Sequence, residues 1–134
     1  MIVVIRKTGK VEPVTEQTHD WQFRNWTLGL SPIAFQGICD AVNEYINREG
    51  REEIITSSGI PGSDWNSTPY QPIYEAVGRD WGMARFFFGL IVWRVMMDRP
   101  ETWALWHYPR HHNDIPALTY FRVSVGEVPK CSSS

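Results

Sequence analysis

The sequence holds little of what usually betrays an activity. It has two cysteines, Cys39 and Cys131, too few for a disulfide framework, and the first falls in a predicted helix while the second sits in a polar tail. It has no basic excess: 13 Lys and Arg stand against 15 Asp and Glu, a net charge of −2. Proteins that live on phosphate contacts carry the opposite balance, so nucleic acid is an unlikely partner by composition. It has no long apolar run. Phe86 to Trp93 is the longest uncharged one, eight residues bracketed by Arg85 and Arg94, against about 20 for a membrane helix. The MIVVIRK start is too short for a signal-peptide core, so a cytoplasmic protein with no membrane partner is expected. There is no phosphate-binding glycine motif, no G-x-S-x-G elbow and no zinc spacing. No cofactor is implied.

What remains is a chain of 134 residues, 43% hydrophobic and 21% charged, the size and composition of one globular domain. We place that domain at residues 1–126, with 127–134 a flexible, mostly polar C-terminal tail with no core to join.

The β-branched run Ile2 to Ile5 predicts a strand covered on both faces, and Lys7 to Lys10 a turn. Val11 to Thr15 predicts a partner strand that Pro13 confines to a sheet edge. Trp21 to Leu28 reads as a third strand, bulged near Asn25 so that Trp21, Phe23, Trp26 and Leu28 all point inward. Ser31 as cap, Pro32 in the first turn and Gly50 as stop frame an amphipathic helix. Its apolar side is Phe35, Ile38, Val42, Tyr45 and Ile46; its polar side is Asp40, Asn43, Glu44, Asn47 and Arg48. A short strand at 53–56, a Gly/Pro/Ser loop and a short helix ending at Val77 follow.

A third helix, 80–97, is capped by Asp80 and apolar all round, and therefore predicted to be central and buried. Thr102 to Tyr108 and Ala117 to Val125 predict a closing hairpin. The fold class is α+β: a mixed or antiparallel sheet of about four to six strands on about three helices.

Three features carry candidate chemistry. His107, His111, His112 and Asp114 concentrate imidazole and carboxylate in the last hairpin link and form a candidate metal site; the plainer reading is an exposed polar turn. The loop Ser57 to Asn66 offers glycines and backbone amides for an anion, or is a long connection. Seven tryptophans supply an aromatic core, and Trp65, Tyr70, Arg85 and Trp106 are the residues expected to line an aromatic pocket or interface.

The stretches SSGIPGSDWNSTPYQPIYEA, FFFGLIVWRVMMDRPETW and LTYFRV resemble uncharacterised proteins of bacterial integron gene cassettes over about residues 55–125. The resemblance implies a bacterial cytosolic protein and carries over no catalytic residue. The sequence thus points to a non-catalytic binding or interaction protein, homodimeric because the third helix presents more apolar surface than so small a chain should cover. A small molecule and a protein both remain open as partners. A small enzyme using the hairpin link or the 57–66 loop is the alternative.

Overall fold

The computed structural model describes residues 1–49, 54–56, 70–105 and 112–123. Strand β1 (Ile2–Ile5) pairs antiparallel with β2 (Val11–Val14) through a turn in which Gly9 takes φ +87°, a left-handed conformation that suits glycine. Pro13 lies opposite Val3 on the outermost strand, where its missing N–H costs no ladder bond. Next in sequence comes α1 (Asp20–Thr27), then α2 (Pro32–Glu49), β3 (Ile54–Thr56), α3 (Gln71–Ala76) and α4 (Trp81–Asp98). Strand β4 (Thr102–Leu105), a 3-10 helix (His112–Ala117) and β5 (Thr119–Val123) complete the described chain. The sheet order is β2-β1-β4-β5-β3, with β1 and β4 parallel and the other pairs antiparallel. The protein is α+β with a mixed sheet, and β4 and β5 form the expected hairpin.

The segment Trp21 to Leu28 is a correction: it is helical. Phe23, Trp26 and Leu30 recur at three- and four-residue steps and pack on the core, while Trp21 and Leu28 are 73% and 84% exposed. Alternation of aromatics is a period-2 reading of a pattern that fits period 3.6 as well. Local polar bonds tip it: Asp20 pairs with Arg24 at 2.8 Å, Asn25 Nδ2 donates to the Trp21 carbonyl and Thr27 Oγ1 to that of Phe23.

Side-chain caps start α2 and α4 as read. Ser31 Oγ accepts from the Ala34 N–H at 3.1 Å, and Asp80 Oδ1 from the Met83 N–H at 2.9 Å. Gly78 and Arg79, both at positive φ, turn the chain from α3 into α4.

Helix α4 lies between the sheet and the remaining helices, and every residue from Phe86 to Trp93 is buried. Ile2, Val4, Trp103, Leu105 and Tyr120 of the sheet share one core with it, as do Ile38, Val42 and Ile46 of α2 and Ile73 of α3. Trp26 meets the rings of Phe86 and Phe87 at 5.4 and 5.6 Å. The segment before α1 is tied across the helix by Gln17, which donates to the Leu90 carbonyl, and by the Trp93 indole, which donates to Glu16.

The last flank is closed by the 3-10 helix, whose Ile115 is fully buried against Phe86 and Leu90. A Cβ on Gly89 would stand 2.4 Å from Ile115 Cγ2 and 2.9 Å from its carbonyl oxygen. Only a residue without a side chain admits that approach. The hairpin link, read from sequence as an exposed polar turn, is therefore anchored at Ile115. One chain covers the apolar middle of α4 by itself; among the large apolar side chains of this helix only Trp81 and Met83, in its first turn, are exposed. The surplus apolar flank that motivated a dimer is absent from the helix middle.

Candidate functional site

Two short-range causes open a groove at the far end of α4. The helix stops where Arg99 leaves helical geometry, with ψ 150°, and Pro100 follows. The Met1 nitrogen then clamps the turn, donating to the carbonyls of Met96, Arg99 and Glu101. The Arg99 side chain, held at this exit, reaches back over α2. Its Nε and Nη2 make a bidentate pair with Glu101 at 2.8 and 3.0 Å. Nη1 donates to Asn43 Oδ1 at 2.8 Å, and Nη2 to Asn47 Oδ1 at 2.6 Å.

Beside this network, between α1, α2 and α4, lies a groove of about 710 Å³. Phe23, Phe35 and Val95 form its apolar end, the two rings 6.2 Å apart at 69°. Asn43, Asn47, Arg99 and Glu101 form its polar end, with Cys39 between. Arg94 and Asp98 pair with each other at 3.3 Å on the wall, as their i,i+4 spacing suggests. Its volume is in the range of small-molecule sites, and its mix of an apolar body with a few placed polar groups is theirs too.

Two titratable groups here, Cys39 and Glu101, are shifted from their ordinary ranges. Burial, helped by Asp40 and Asp98, pushes the Cys39 thiol up to about 11, so it stays protonated and is a poor nucleophile. Hydrogen bonds from Arg99 hold the Glu101 carboxyl below its ordinary 4.5, so it stays ionised and is no general acid. The Trp103 indole N–H adds weakly to that effect, without a hydrogen bond of good geometry.

The residues singled out from sequence lie elsewhere. Tyr70 is 8% exposed and stacks on Phe88 at 5.2 Å as part of the core, its phenol pushed up by burial. Arg85 is exposed on the outside of α4. Neither lines this groove or the shallower hollow between the α1–α2 turn and α3, and Trp65 and Trp106 fall outside the described residues. So do His107, His111, the side chain of His112, and the 57–66 loop. Asp114 is exposed, and no group of three metal-ligating side chains occurs among the described residues.

Three basic residues near the start of the chain are paired with acids. Glu12 takes both Arg6 and Lys10, and Asp20 takes Arg24. No described helix is long and apolar enough to cross a membrane.

The groove's two asparagines were visible in sequence only as part of a solvent face. Asn43 and Asn47 sit at i,i+4 amid charges on α2, and Arg99 directly follows a helix. Two amides one turn apart were the available signal, and nothing local said that a distant guanidinium would close on them. No family model, curated protein or solved structure matches this chain.

Proposed function

We propose that this chain is a non-catalytic ligand-binding protein whose site is the groove between α2 and the C-terminal end of α4. The observation that carries the reading is the contrast inside the groove. Its hydrogen-bonding groups are fixed by a four-residue network, while the Cys39 thiol is held protonated and the Glu101 carboxylate is occupied by Arg99. An enzyme would place at least one titratable group near its working pH. The reading keeps the cytoplasmic setting and the gene-cassette kinship expected from the sequence.

The test is a small-fragment screen by protein NMR on the full chain. Binders should cluster on Phe35, Cys39, Asn43, Asn47 and Val95. Binders that all map elsewhere, or no binder at millimolar concentration, would sink the proposal.

A homodimer remains a second reading, on different ground from the helix flank. Leu28 and Ile33, 84% and 86% exposed, stand on either side of the α1–α2 turn, beside the hollow of about 580 Å³ formed with α3. Sedimentation at high concentration should show a dimer that Ile33→Lys dissociates; a lone monomer throughout contradicts it.

A further inference from the structure

Resting on the groove reading, we infer that the groove selects neutral planar carbonyl compounds, such as aromatic or cyclic amides, over anions and cations. The inference comes from hydrogen-bond polarity. A guanidinium only donates, so the oxygen of any amide it contacts must face it. Arg99 contacts both Asn43 Oδ1 and Asn47 Oδ1, which turns both Nδ2 groups away from Arg99. Among the described residues neither Nδ2 has a protein acceptor. One turn apart on α2, the two amides present N–H donors together at the groove's polar end.

Charge sets the rest of the selection. The groove's charged side chains are two cations and two anions, Arg94 with Asp98 and Arg99 with Glu101, each engaged with its opposite. No surplus cation is left for a carboxylate or phosphate, and no surplus anion for an amine. The preferred ligand accepts hydrogen bonds without a formal charge, and carries a flat apolar body for Phe35, Phe23 and Val95.

The experiment uses the ¹⁵N-labelled full chain with four probes of similar size: benzamide, benzoate, benzylamine and toluene. Benzamide should move the side-chain NH2 signals of Asn43 and Asn47, and bind at least about fivefold tighter than benzoate or benzylamine. The variants Asn43→Asp and Asn47→Asp keep an oxygen for Arg99 and replace the donor by an acceptor. Each should weaken benzamide roughly two- to tenfold, the worth of one hydrogen bond, and leave toluene unchanged.

Benzoate binding as well as benzamide, or aspartate variants that bind benzamide undiminished, would overturn the inference. If toluene shifts Phe35 and Cys39 and benzamide does no better, the donor argument fails while the groove stands. If no probe touches the groove, both fail together.

Discussion

The middle and the C-terminal end of α4 meet their neighbours in opposite ways. Around Gly89 the 3-10 helix comes so close that a single methyl group would collide with its backbone, and no cavity is left. Two turns later, between Val95 and Arg99, polar side chains of α2 and of the chain after α4 bond to one another beside a groove. The same helix is sealed by apolar packing in its middle and flanked by a hydrogen-bonded groove at its C-terminal end. Packing alone collapses space; a network of directional bonds can hold surfaces apart at a fixed distance.

That comparison breaks most readily at the sealed middle. Trp93→Ala removes a fully buried indole and its bond to Glu16, and should cost about 3–5 kcal/mol in urea unfolding. Gly89→Ala should cost about 1–3 kcal/mol, towards the upper figure, because Ile115 backbone rather than a pliable side chain stands in the way. A neutral Gly89→Ala would mean that the 3-10 helix is not seated on α4, and the contrast would lose its first half.

The open end answers more gently. Tyr120→Phe is a reference in the core: the phenol is wholly buried with no hydrogen-bond partner, so its removal should be neutral or stabilise by about 1 kcal/mol. A clear loss of stability would show that the hydroxyl is satisfied.

The smallest effect concerns Glu101. Its folded pKa is depressed, so its contribution to stability is fully present above the unfolded value near 4.5, and fades as pH falls through the lower folded value. The stability difference between the natural chain and Glu101→Gln should therefore be constant from about pH 7 to 5, and shrink below that. A difference that changes between pH 7 and 5 contradicts the Arg99–Glu101 pair.

Much of this architecture was legible in the residues, for reasons the particular elements make plain. The α4 segment announces its burial because twelve apolar residues leave it no polar face. Ser31 and Asp80 announce helix starts because capping is a local bond between neighbours. Pro13 announces an edge because a missing N–H has no other place in a sheet. The α1 segment misled because eight residues containing two tryptophans and a phenylalanine satisfy two periodicities, and local polar bonds together with the packing of Trp26 on Phe86 and Phe87 favour the helix.

The site was hidden more deeply. Asn43 and Arg99 are 56 residues apart in sequence, and their bond depends on where α4 ends relative to α2. Aromatic richness drew attention to Tyr70, whose ring was needed for the core. The four side chains that shape the groove's polar end are unremarkable one at a time.

The most direct test of the groove uses its own thiol. Cys39 lies at its centre, and Cys131 of the same chain supplies an internal control. Alkylation by iodoacetamide at pH 9, followed by peptide mass spectrometry, should label Cys39 slowly, because a pKa of about 11 leaves it roughly one part in a hundred thiolate. Saturating benzamide should slow Cys39 further and leave Cys131 untouched. Equal rates at Cys39 with and without benzamide would contradict the account.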